Sequence, residues 1–197
     1  MKKVLTLTVL GAVVAAGSAF AVTQDIDVFA TMRVGLSFAN KVDANFTPSS
    51  GHIDFYGTPD PTTDFVTLAT DGTIAPVGTI FQPSALVGTP GSVDIVSDGA
   101  SDVDITCTTG AVLAEPGAKT LAVDSMEISM NTGHAFAAGD YQCSGLTSVT
   151  PFAYTLTGTA DKIILGGRLV GSADVVTAAY DTTQTGGTAA TIKVLYH

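Results

Sequence analysis

The stretch DIDVFATMRVGLSF, residues 25–38, alternates almost without a break. Ile26, Val28, Ala30, Met32, Val34 and Leu36 share one parity, while Asp25, Asp27, Thr31, Arg33 and Ser37 hold the other; Phe29 is the exception. Successive strand side chains point to opposite faces, so a period of two predicts a strand with one buried face. Burying five or six such side chains would contribute on the order of 10 kcal/mol before ordering costs. A strand this long at the start of a chain raises the question of which sheet it completes.

The residues before it read as a secretion signal. Lys2 and Lys3 lead an apolar run, VLTLTVLGAVVAAG, and Ala19-Phe20-Ala21 fits a small-x-small cleavage site. The run is short for a bilayer span and no later stretch is longer, so no membrane span is expected. The expected organisation is therefore a signal peptide over 1–21, an N-terminal strand over 22–38 and one β-sandwich domain over 39–197. Such a chain is expected to be secreted, passing through a periplasm to the cell surface or the medium.

The chain carries 8 Lys and Arg against 18 Asp and Glu, a formal charge of −10. Removing the two signal lysines takes this to about −12. So acidic a surface repels nucleic acid and anionic lipid, which makes neither an expected partner. Thr, Val, Ala, Gly and Asp are abundant and Trp is absent, a usage that favours strands and turns.

Turn signals recur every eight to twelve residues beyond residue 38, the spacing of an all-β sandwich or barrel. ANKVDANFTPSSG (39–51) reads as a turn-rich connection, HIDFYG as a short strand and TPDPTTD as a loop. Residues 65–91 read as short edge strands and turns. GSVDIVSDGASDVDITC predicts two strands joined as a hairpin through SDGAS. In KTLAVDSMEISM the phase of Leu121 and Val123 slips by one before Met126, Ile128 and Met130, which predicts a bulge near Asp124 or Ser125. DYQCSG, PFAYTLTG, DKIILGGRLVG, ADVVTAAY and TAATIKVLYH complete the series. In the last of these, Ile192, Val194 and Tyr196 form the apolar parity of a terminal strand.

No pattern of an active site emerges. There is no nucleophile elbow, no zinc-protease pair of histidines, no phosphate loop and no dinucleotide fingerprint. His52, His134 and His197 are scattered, so no catalytic residue and no cofactor is expected. Aspartate groups at 25–27, 60–64 and 98–104 raise calcium, but none has the order of a calcium loop and solvent-facing strand positions account for Asp102 and Asp104; no metal site is expected. Asn45-Phe46-Thr47 matches a glycosylation sequon. In an exported chain the default for Cys107 and Cys143 is a disulfide, against a nucleophilic or metal-binding role that no nearby His supports.

Over nearly the whole mature chain the sequence resembles the bacterial secreted family catalogued as domain of unknown function 4402. The leading alternating strand, IDFYG, GSVDIVSDG, LTGTADKIILGGRLVG and the ending GGTAATIKVLYH carry the resemblance, most specifically Gly166-Gly167 and the terminal strand with its tyrosine. It implies an immunoglobulin-like β-sandwich without catalytic residues. The Pro-rich stretch around 58–90 and the cysteine pair depart from that family's pattern. More distantly, the plan is similar to pilus subunits of the chaperone–usher type, with a mobile alternating N-terminal strand and a penultimate tyrosine, here Tyr196. That similarity implies self-association into a homopolymer and a periplasmic chaperone. The expected function is a structural subunit of an extracellular bacterial filament or surface layer, built by β-strand complementation. The rival expectation is a self-contained secreted adhesion or ligand-binding module whose loops at 39–52 and 58–91 carry the function.

Overall fold

A computed structural model describes residues 36–48, 52–53, 58–78, 87–137, 141–176 and 178–196. Among these residues lie eleven strands: β1 (Ser37–Val42), β2 (Phe65–Leu68), β3 (Ile74–Val77), β4 (Gly91–Val96), β5 (Ala100–Cys107), β6 (Ala111–Ala114), β7 (Thr120–Met130), β8 (Tyr141–Gln142), β9 (Phe152–Thr157), β10 (Asp161–Val170) and β11 (Ile192–Tyr196). Their sole helical element is a three-residue 3-10 turn, Cys143–Gly145. The described part of the chain is all-β, with two antiparallel sheets in the manner of a β-sandwich.

The larger sheet is organised by β10, whose DKIILGGRLV is buried or half-buried at every position. Strand β7 runs along one side of it, from Ile163↔Met130 to Leu169↔Val123. On the other side β4 pairs with its first half and β2 with its second. Strands β1 and β3 flank β4 and β2, while β6 and β8 flank β7. The smaller sheet has the order β11-β5-β9. One core joins the layers: Ile95, Ile128, Met130 and Ile163 from the large sheet meet Val103, Ile105 and Leu156 from the small one.

The predicted bulge in β7 is present. Arg168 faces Ser125 while Leu169 faces Val123, leaving Asp124 as the extra residue. The insertion lets Leu121 and Val123 share the inner face with Met126 and Ile128 despite their different parity. Asp124 then takes the Arg168 guanidinium through two bonds, Nε to Oδ1 at 2.8 Å and Nη2 to Oδ2 at 2.6 Å.

Adjacent glycines let β10 serve the centre. A Cβ on Gly166 would stand 2.5 Å from the Leu68 carbonyl oxygen and 3.2 Å from the carbonyl carbon of Ala69. The end of β2 crosses there at a distance no side chain permits. Beside it, the outer face is sealed by the turn at 131–137. Ser129 and Thr70 share a 3.0 Å bond, and the His134 N–H donates to Thr70 Oγ1. Glu127 Oε2 accepts from the Ala137 N–H and from Gln142 Nε2.

Several local expectations are corrected. Strands β4 and β5 do not form a hairpin: after Val96 the chain crosses from one sheet to the other, so Ile95 and Val103 enter one core from different sheets. A turn signal in the sequence cannot distinguish these outcomes. Residues 39–42 are not a connection but the body of β1, an irregular edge strand with Asn40 at φ 51° and a register shift between Ala39 and Val42. Residues 173–176 and 178–180 form no strand, and neither do His52 and Ile53; residues 54–57 of that expected strand lie outside the described residues. Ile26, Val28, Ala30, Met32 and Val34 also lie outside them.

Candidate functional site

The two sheets are unequal, and the consequence is a groove. Among the described residues three strands stand opposite eight, and part of the inner face of the large sheet has no described strand above it. There a cavity of about 1340 Å³ opens, larger than the roughly 300–1,000 Å³ of a small-molecule pocket. Its floor is apolar: Val93 from β4, Leu165 and Leu169 from β10, Val123 and Met126 from β7, and Leu113 from β6. Residues directly opposite in a ladder share a face, as Leu169 does with Val123, Val123 with Ala111 and Leu113 with Leu121.

One wall is β1 and the chain that follows it. Asn45 exchanges backbone bonds with Thr89 at 2.7 and 3.1 Å, which turns Phe46 inward. The Phe46 ring comes within 3.4 Å of where a Gly167 Cβ would lie, so the missing side chain on the floor is filled from the wall. The opposite wall is the segment 178–190, fastened to β6 by isolated bridges at Asp181↔Ala114 and Thr188↔Val112. It leads into β11, and Ala189, Ala190 and Ile192 line the groove.

Two carboxylates hold the ends of this frame. On the outer face, Asp94 of β4 accepts from Asn40 Nδ2 at 2.7 Å and pairs with Lys162 Nζ at 3.4 Å, pinning the irregular β1 to the sheet. The Asn40 bond, helped by Lys162 and opposed by burial, holds its carboxyl below the ordinary aspartate range. Asp161 opens β10, 1% exposed. Its Oδ2 accepts from the Thr157 N–H and hydroxyl, and its Oδ1 from Tyr154 OH and Asn131 Nδ2. Burial opposes its ionisation, but those bonds outweigh it and the carboxyl again lies below its usual range.

The candidate residues fall around the groove as follows. Leu36 is half-buried against the core, immediately ahead of β1. Ile192, Val194 and Tyr196 are half-buried on the inner face of β11, while Lys193 and Leu195 point outward. Cys107 and Cys143 form a disulfide, which ties the end of β5 in the small sheet to the turn after β8 of the large one. His52 lies on the groove wall and His134 in the covering turn, on separate sides of the large sheet's fold. Among the described residues no group of three or more His, Cys, Asp or Glu side chains is placed to hold a metal, and no helix is long and apolar enough to cross a membrane.

The groove was not foreseen from sequence. Its floor residues read simply as core, and the one available signal was the imbalance of strands, which requires the pairing to be known. No family model matches the chain, and neither a curated protein nor a solved structure matches it. Function is therefore read from the groove.

Proposed function

We propose that this chain is a structural subunit of an extracellular bacterial filament or surface layer, joined head to tail by β-strand complementation. In this reading residues 1–21 direct export, the sandwich is of the immunoglobulin-like type, and the alternating residues 25–36 leave one copy to enter the groove of the next. The observation that carries it is the apolar groove beside β11, an edge strand whose sole strand neighbour among the described residues is β5. A donated strand supplies ladder bonds and alternate side chains to such a site. Head-to-tail donation does not close on itself, so it yields a filament. A periplasmic chaperone would shield the groove before assembly.

Size-exclusion chromatography and electron microscopy test this on the chain starting at Val22, with and without residues 22–35. The full chain is expected to form concentration-dependent oligomers and filaments. The shortened chain is expected to stay monomeric and to bind a peptide of residues 22–36. Equally stable monomers from both would overturn the proposal. A second reading, a self-contained adhesion module, is favoured by the position of Leu36 against the core beside the groove wall: the same segment would then complete its own domain. On that reading the shortened chain unfolds.

A further inference from the structure

We infer that Asn45 is an acceptor for N-linked glycosylation, and that its sugar comes from an oligosaccharide joined to a membrane lipid through a diphosphate. The inference uses export by residues 1–21 from the reading above and is independent of strand complementation. Asn45-Phe46-Thr47 is the one Asn-x-Ser/Thr triplet in the chain, and in an exported protein such a triplet marks a surface acceptor. The triplet alone is a weak signal; what the fold does with each asparagine makes it specific.

The chain has three asparagines, Asn40, Asn45 and Asn131, and two of them spend the amide nitrogen inside the fold. Asn40 Nδ2 donates to Asp94 at 2.7 Å, and Asn131 Nδ2 donates to Tyr154 OH at 2.9 Å and Asp161 Oδ1 at 3.3 Å. Asn45 is exposed, and among the described residues its Nδ2 donates to no acceptor. Its Oδ1 instead accepts the Thr47 N–H at 2.9 Å. Such a turn spans two residues and needs no tertiary support. The bond occupies the carbonyl end of the amide and draws electron density from the nitrogen, so the N–H protons are easier to give up.

The triplet also straddles the groove wall in the right sense. Asn45 and Thr47 are exposed while Phe46 between them is buried, so a sugar on Asn45 stands in solvent and leaves the core untouched. Two residues ahead, Asp43 is exposed and paired with exposed Lys41 at 2.7 Å, a surface contact that holds it weakly. It gives the acceptor the form Asp-x-Asn-x-Thr and offers a cationic enzyme site a carboxylate to grip. Asn45 exchanges both backbone bonds with Thr89, so a transferase that must surround the triplet reaches it before this segment docks, as the chain is exported. Pro48 follows directly and restricts Thr47, which keeps occupancy partial. In the transfer Asn45 Nδ2 attacks the anomeric carbon of the first sugar. The new N–C bond forms as the bond from that carbon to the diphosphate oxygen breaks, the lipid diphosphate leaves with the electron pair, and Nδ2 releases one proton to a base of the transferase.

Intact-mass spectrometry tests this on the full chain, expressed in a bacterium that carries a single-enzyme oligosaccharide transferase and a lipid-linked donor of known mass. The exported chain, recognised by the loss of residues 1–21, is expected to show two masses that differ by one glycan, with fragmentation placing the addition at Asn45. Asn45→Gln and Thr47→Ala should abolish it, and Thr47→Ser should retain it. Asp43→Ala should lower occupancy at least about tenfold by removing the charged anchor, and Pro48→Ala should raise it about twofold or more by freeing Thr47. An exported chain of unaltered mass, where a control acceptor in the same cells is glycosylated, would overturn the inference, and so would a glycan that persists in Asn45→Gln. A chain that keeps residues 1–21 would overturn the export reading instead; residues 22–197 behind an established periplasmic leader then decide the acceptor by the same masses. With purified transferase and donor, the folded chain should be modified at least about tenfold more slowly than a peptide of residues 41–49, because the segment must first open. Equal rates would overturn entry before docking.

Discussion

Cys107 and Ile192 stand directly opposite each other in the β5–β11 ladder, and the same Cys107 is bonded to Cys143 at the far side of the core. The cross-link between the sheets is thus next to the residue that opens the groove. Its 36-residue separation corresponds to about 3–4 kcal/mol on the chain-entropy account of disulfides. Replacing both cysteines with serine is expected to lower the thermal midpoint by about 8–15 °C, since each kcal/mol moves a domain of this size by roughly 2–4 °C. Differential scanning calorimetry reads this, and an unchanged midpoint would show that packing alone fixes the sheets.

The glycine pair in β10 separates two kinds of crowding. A methyl group at Gly166 meets the backbone carbonyl of Leu68 at 2.5 Å, whereas at Gly167 the tightest neighbour is the Val123 Cγ1 at 3.0 Å. Backbone cannot step aside as a side chain can. Gly166→Ala should therefore cost about 2–3 kcal/mol and Gly167→Ala less, within the usual range for overpacking. Urea titration gives both values, and a reversed order would refute the account.

Asp161 links the layers chemically, because Tyr154 belongs to the small sheet and Asn131 follows β7 of the large one. Asp161→Ala strands several donors and should cost about 2–3 kcal/mol. Its pH signature has a definite sign. A carboxyl whose folded pKa is depressed contributes stability above its unfolded value, near 3.9, and that contribution is lost as pH falls through the folded pKa. Asp94, Asp60, Glu115 and Asp181 are depressed too. The wild-type midpoint should hold from neutral pH to about 5 and fall steeply below about 4. Asp161→Asn should show a shallower acid limb.

Leu165 places the groove floor under direct test. It is half-buried, so an aspartate there keeps its hydration while the groove is open and loses it once a strand covers the floor. Burying an unpaired carboxylate costs several kcal/mol. Leu165→Asp is expected to stay folded, by circular dichroism, and to fail to assemble at concentrations where the parent forms filaments. Filaments of normal yield would remove the floor from the interface.

Much of the strand content was legible because strand formation with one buried face leaves a local, two-residue signature. The bulge at Asp124 was legible for the same reason: a parity slip between Val123 and Met126 is written in adjacent residues. Where polarity masks parity the signal failed, as in β1, whose Asn40 and Lys41 resemble a turn but are held in the sheet through Asp94. It failed again at ADVVTAAY, an apolar run that serves as groove wall under tertiary constraint.

The amino-acid order alone therefore determined the class of structure, the phase of strands such as β5, β7 and β11, and the pairing of its two cysteines, since each depends on neighbours in the chain or on having only one possible partner. Tertiary structure decided which sheet each strand joined. Ile95 and Val103, eight positions apart across a turn signal, could equally have been hairpin partners; they became opposing faces of a core because β10 claimed β4 and β9 claimed β5. The groove followed from that division. It lies where, among the described residues, eight strands face three, a property of long-range pairing that no window of sequence contains.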